Sequence, residues 1–229
     1  MPLLEVIALT AADARAAEEG GADRLEIVAD MAADGLTPDP VLVAEMRQVT
    51  SLPLRVMLRA NAGFRTNGPE LDRLRRAAAS LTEAGADGFV LGFLDSEGHI
   101  DVGATTKLVA MITPLPWTFH RAIDNATDTG LAWRTVRELP GLDAVLTSGA
   151  SAGVDAGVDM LVRRAAESAD SARLVMAGGG LRRKHVALLA AAGVSSFHVG
   201  SAVRPDRSWE QPVAAGLVRE WRTLVSAAG

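Results

Sequence analysis

Along this chain, Ala- and Leu-rich stretches at helical spacing end at a glycine and a short polar turn, and a brief β-favouring run follows. Four stretches carry the pattern: Glu18 to Val28, Thr82 to Gly92, Gly141 to Thr147 and Gly193 to Gly200. They align on Gly21, Gly85, Gly141 and Gly193. Each predicts a helix closed by a left-handed glycine, then a turn, then a buried strand. The aligned glycines lie 64, 56 and 52 residues apart, too far for a single strand–helix unit. One more strand therefore belongs in each gap. Pro53–Leu58, Pro116–His120 and Arg173–Ala177 supply them, and Leu3–Ile7 opens the chain.

Eight strands in 229 residues give about 29 residues per unit, a workable length for a βα repeat. With no break in composition and no linker, the expectation is α/β: one (β/α)8 TIM barrel over residues 1–229. A doubly wound sheet is the alternative. It is weakened because neither a phosphate loop nor a Gly-x-Gly-x-x-Gly turn follows the first strand. Helix starts fit the layout. Thr10–Asp13 reads as a capping box with Asp for Glu, and Thr37-Pro38 as a cap before a proline at the first helical position. Two strand-to-helix loops are long, Ala29–Leu36 and Arg59–Pro69, and in a barrel these line the C-terminal mouth.

The repeat exposes polar residues where apolar ones belong. The strand position of Val90 and Leu146 is Glu26 in the first copy and His198 in the last. An unpartnered carboxylate or imidazole there would cost several kcal/mol. Glu5 on strand one lies between those two strands. Arg59 ends strand three, His120 and Arg121 end strand five, and Asp124 follows. Glu5, Glu26, Arg59, His120, Arg121, Asp124 and His198 thus form a candidate catalytic ring at the mouth. A structural network of Glu5 or Glu26 with Arg59 or Arg121 is the bland alternative. His99 and His185 read as ordinary surface residues. The glycine-rich ends of strands seven and eight are a candidate anion cradle: Gly178, Gly179, Gly180, Gly200 and Ser201, with Ser148 on the same rim. A plain tight turn is the competing reading. No nucleophile–base–orienter triad stands out.

Composition narrows the chemistry. The chain has no cysteine, which excludes a disulfide framework, a thiol nucleophile and thiolate metal sites. A net charge of −5 argues against a general nucleic-acid binder, and Arg73–Arg76 and Arg182–Lys184 read as solvated helix faces. No apolar run reaches about 18 residues, and the start of the chain lacks a signal-peptide pattern. A soluble, cytoplasmic protein with no nucleic-acid or membrane partner is expected.

Several segments together resemble the CutC copper-homeostasis family over essentially the whole chain. They are Leu4–Val6, Gly21–Glu26, Gly35–Pro38, Gly92–Asp95, Thr118–Asp124, Leu146–Gly149 and Met176–Gly180, the Phe-His-Arg-Ala-x-Asp and Leu-Thr-Ser-Gly runs being the most specific. The resemblance implies a (β/α)8 fold, a cytoplasmic location, a homo-oligomer and a role in copper homeostasis by copper binding or indirectly. Two positions depart from the pattern. Val28 and Ala29 stand where some members carry a cysteine, and Ala60 follows Arg59 in place of a proline. Without thiolates, a copper site would have to use Glu26, His120 and His198, a set suited to Cu(II) or Zn(II) over Cu(I). The alternative is a barrel enzyme, of lyase or isomerase type, acting on a small anionic or phosphorylated metabolite.

Overall fold

Every strand but the first residues of β1, β6 and β8 is buried along its length, one face against helices and the other inside a closed ring. The computed structural model describes residues 1–229. The strands are β1 (Leu3–Ala8), β2 (Arg24–Ile27), β3 (Leu54–Met57), β4 (Gly88–Leu91), β5 (Trp117–Phe119), β6 (Leu142–Thr147), β7 (Val175–Ala177) and β8 (Ser196–Val199). All pair in parallel and in chain order, and β8 returns to β1, so the (β/α)8 barrel is closed. Around it lie α1 (Ala11–Gly20), α2 (Pro40–Arg47), α3 (Gly68–Glu83), α4 (Val102–Ile112), α5 (Thr129–Val136), α6 (Val154–Ala166), α7 (Ala169–Leu174), α8 (Arg183–Ala191) and α9 (Ala215–Ala228). None of these is long and apolar enough to cross a membrane.

The repeat has a physical basis. Gly21, Gly85, Gly141 and Gly193 all adopt positive φ, at 90°, 108°, 71° and 94°, which lets each helix stop and the chain turn into its strand. The Asp two residues after the first two of them clamps the preceding strand: Asp23 accepts from the Leu4 amide at 2.7 Å and Asp87 from the Leu54 amide at 2.9 Å.

Three local readings change. The α2 cap is Asp39, with Pro40 opening the helix, while the Thr37 hydroxyl accepts from the Arg59 amide at 2.8 Å and donates to its carbonyl. Arg173 and Leu174 end α7 rather than starting β7. His185 is buried at the start of α8, where Nδ1 accepts from the Arg182 amide and Nε2 lies 3.1 Å from Asp155.

The loop after β6 is pressed onto α6 where two glycine backbones meet. Gly149 has φ 79°, and a Cβ at Gly157 would overlap the Ser148 carbonyl oxygen. Alanine is about 1 kcal/mol better than glycine inside a helix. Gly157→Ala should nevertheless destabilise the protein, by about 1–3 kcal/mol, because backbone and not a side-chain end must give way. Urea unfolding measures the sign directly.

Candidate functional site

Register puts the first charged cluster together. Glu5 of β1 pairs with Arg24 of β2 on one side and His198 of β8 on the other. Glu5 has 0% exposure, and both its oxygens are occupied: Arg24 Nε donates to Oε2 at 2.5 Å, and His198 Nδ1 lies 2.8 Å from Oε1. Burial alone would raise its pKa. The charge of Arg24 and the bonds to both partners outweigh it, and Glu5 titrates at about 2. An ionised carboxylate can only accept, so His198 Nδ1 is the donor. That fixes the ring and turns Nε2 toward Glu26, whose Oε2 is 3.7 Å away.

Glu26 is the opposite case. It is buried, its Oε1 has no hydrogen-bond partner, and burial, with a contribution from the Glu5 charge, pushes its carboxyl up to about 7 against the opposing pull of His198 and Arg24. Burial lowers the affinity of His198 for a proton, but Glu26 and Glu5 reverse this and leave its pKa raised. Both neighbouring groups thus hold a proton more tightly than they would in water.

The rim residues are arranged by hydrogen bonds. Asp124, buried, accepts from Thr147 Oγ1 at 2.5 Å, from Ser148 amide and hydroxyl at 2.8 Å, and from the Gly149 amide and Arg121 Nε at 3.2 Å. It ties the Phe-His-Arg-Ala-x-Asp run to the Leu-Thr-Ser-Gly run. The single proton of the Ser148 hydroxyl is shared between Asp124 and the Ala150 carbonyl, 2.6 Å away, and its oxygen accepts from Arg121 Nη2 at 3.1 Å. Arg121 bonds further to the Ser151 carbonyl, and its Nη1 has no protein partner. Arg59 is 4% exposed and donates to five carbonyls, those of Ala33, Asp34, Gly35, Ala62 and Gly63, so it fastens two long loops to each other. His120 caps the 3-10 turn Arg121–Asn125, its Nδ1 accepting from the Ala122 amide at 3.2 Å. Burial, then the charge of Arg59, drives it down to about 3.

A cavity of about 400 Å³ opens at the C-terminal mouth. Glu26, Arg59, His120, Arg121, His198, Gly179, Gly180, Gly200 and Ser201 line it. Glu5 lies beneath His198, Asp124 and Ser148 lie behind Arg121, and Gly178 packs against His198 and Leu146, all four outside the lining. The amides of Gly179, Gly180 and Gly200 donate to no protein acceptor. Glu5, Glu26 and His198 offer ligand atoms within 4.8 Å of one another and could hold a metal ion; His120 is not among them.

Residues missed by the sequence reading are Arg24 and Arg55 inside the barrel, and Phe64, Arg207 and Trp209 at the mouth. Arg24 had a signal. At its repeat position the other copies carry Gly88, Ala144 and Ser196, all small. Arg207 and Trp209 lie in a segment outside any repeat and had none.

A closed parallel barrel, a buried Glu–His pair and an opening at the strand C-termini make this a (β/α)8 protein with a cavity at its mouth. A model of the CutC family matches residues 2–203. A CutC family protein of Klebsiella pneumoniae (strain 342) is 35% identical over 93% of this chain and 86% of its own. The human copper homeostasis protein cutC homolog is 35% identical over 89% of this chain and 75% of its own. A CutC crystal structure from Streptococcus agalactiae superposes with a TM-score of 0.77 at 24% identity, over 87% of this chain and 98% of that one. The chain belongs to the CutC family.

The raised Glu26 pKa has a stability consequence. The native state holds this proton more tightly than the unfolded chain, where the ordinary value is 4.5. The contribution is full below that value and is lost as pH rises through about 7. Glu26→Gln should therefore gain on wild type between pH 4.5 and 8, by on the order of 3 kcal/mol. Urea denaturation of both proteins across that range tests it, and parallel curves would contradict the shift.

Proposed function

We propose that the chain is an acid–base enzyme acting on a small anionic metabolite, in a reaction that moves a proton. The observation that carries this reading is Glu26: buried, unpaired at Oε1, holding its proton near neutrality and lining the cavity. A group with a pKa near working pH both gives and takes a proton efficiently, and such perturbed groups cluster at catalytic sites. Glu5 is a positioning residue, since it orients His198 and fixes its tautomer without lining the cavity. The free amides of Gly179, Gly180 and Gly200, with the Arg121 guanidinium against Gly179, are donors suited to an anionic group such as a phosphate.

Direct copper binding is the second reading, favoured by the names of its relatives and by the Glu5, Glu26 and His198 cluster. The residues fit copper poorly. Glu5 is already committed to Arg24 and His198, leaving one carboxylate and one imidazole nitrogen. Stable transition-metal sites use three or four protein ligands. Sulfur reaches the cavity only as the thioethers of Met31 and Met57, with no thiolate to favour Cu(I). Calorimetry with Cu(II) and Zn(II) on wild type and His198→Ala separates the readings: tight binding lost in the variant would support a metal role.

For the enzyme reading, inorganic phosphate at ten times its Kd should raise Tm by about 3–5 °C. The Glu26 carboxyl carbon, followed by NMR, should titrate near pH 7 and shift its midpoint when phosphate binds. No thermal shift would reject the anion cradle, and a midpoint in the ordinary carboxylate range would reject Glu26 as the acid–base group.

A further inference from the structure

Two side-chain atoms belonging to cavity-lining residues are buried and bond to nothing: Glu26 Oε1 and His120 Nε2. An unpaired buried polar atom costs about 1–3 kcal/mol. Two of them at one cavity point to a ligand that satisfies both. Their demands differ. As a carboxylate, Glu26 accepts; the demand of His120 depends on its tautomer, which its place in the chain decides.

β5 ends at Phe119, and His120 caps the turn that follows through Nδ1, which accepts the Ala122 amide. A neutral imidazole accepting at Nδ1 carries its hydrogen on Nε2. The ring stands edge-on to Phe64 at 5.6 Å and to Phe119 at 6.0 Å, so packing holds its direction. Gly92 leaves the space a Cβ would take from Nδ1. Arg59, anchored by its five carbonyls, adds a positive charge that opposes a second proton on the ring. Capping alone does not account for this residue. Asp, Asn or Ser would cap as well without burying an unmatched N–H.

Resting on the acid–base reading above, we infer that His120 is the electrophile of the site and that the substrate is a small anionic carbonyl compound. The His120 Nε2–H donates to the carbonyl oxygen while the Glu26 carboxylate takes a proton from the adjacent carbon. The C–H electron pair becomes the new C=C bond, and the C=O pair moves to oxygen, giving an enolate held by the imidazole N–H. Where that adjacent carbon carries a hydroxyl, its O–H proton passes to the enolate oxygen and Glu26 returns the abstracted proton to the former carbonyl carbon. The new C=O forms on the neighbouring oxygen, so no oxidant, reductant or co-reactant is consumed. A neutral imidazole suits the task because it stabilises the oxyanion by a hydrogen bond without giving up its proton. The strand order places β2 and β5 with two strands between them, so Glu26 and His120 approach the ligand from different sides of the mouth.

The test uses 2-phosphoglycolate, whose carboxylate mimics the planar enolate and whose phosphate suits the glycine cradle, against inorganic phosphate. Wild type should bind 2-phosphoglycolate at least about 10-fold more tightly than phosphate by calorimetry. His120→Asn keeps a capping oxygen but loses the cavity donor, and should lose that preference while phosphate affinity is unchanged. His120→Gln, which can place an amide N–H near the lost Nε2, should restore part of it. Nitrogen-15 NMR of the wild-type ring should show a protonated Nε2 and a bare Nδ1 at pH 7. A preference that is absent in wild type or survives in His120→Asn, or the other tautomer, or an imidazolium, overturns the assignment. Failure of phosphate itself to bind strikes the glycine cradle instead, and the ring tautomer then decides His120 alone.

Discussion

The barrel closes around Glu5 only because that carboxylate is answered from both sides. A carboxylate removed from water costs several kcal/mol even after the protein relaxes, and Glu5 has no exposure at all. Arg24 meets it from β2 and His198 from β8, and the register of β1 with its two neighbours makes both contacts. The same pairing sets the chemistry one layer higher. With Arg24 set against Glu5, both Glu26 and His198 are left with a raised affinity for a proton. Folding constraint and proton chemistry are therefore one arrangement.

Around that axis, the mouth is built from segments that cannot be displaced singly. Asp124 gathers the ends of β5 and β6 through five hydrogen bonds and holds Arg121 over the cavity. Arg121 in turn lies against Gly179, whose φ of 83° disfavours a side chain and where a Cβ would push the guanidinium aside. The unpaired amides of the glycine loops and the unpaired atoms of Glu26 and His120 thus belong to a frame already hydrogen-bonded without any ligand, and oriented dipoles stabilise developing charge most effectively when they are set in place beforehand.

Much of this was legible in the sequence because the repeat fixes phase. Once Gly21, Gly85, Gly141 and Gly193 are aligned, the fifth residue after each faces the interior, and a Glu or His there among Val90 and Leu146 announces itself. The (β/α)8 architecture followed from the same spacing. Less legible was what each side chain does. Arg59 and Asp124 lie just beyond strands three and five, as expected, yet their polar atoms are used up on backbone and hydroxyl partners that only the three-dimensional approach of distant loops supplies. His185 looked like a surface residue because helix periodicity does not reveal that Asp155 lies across from it. The mouth residues Phe64 and Trp209 come from irregular segments, where neither period nor repeat constrains direction.

Arg59 also bears on how this mouth tolerates change in length. Its guanidinium closes simultaneously on carbonyls of the 29–36 loop and of the loop that follows β3, and Thr37 stitches its backbone to the first of these. A planar fork reaching five oxygens in two loops measures the distance between them. Inserting or deleting a residue in either loop would move its carbonyls out of that reach and strand a buried cation. The two loops are therefore one heritable unit: variation that enlarges or narrows the cavity on this side has to alter both together, or give up the arginine that joins them.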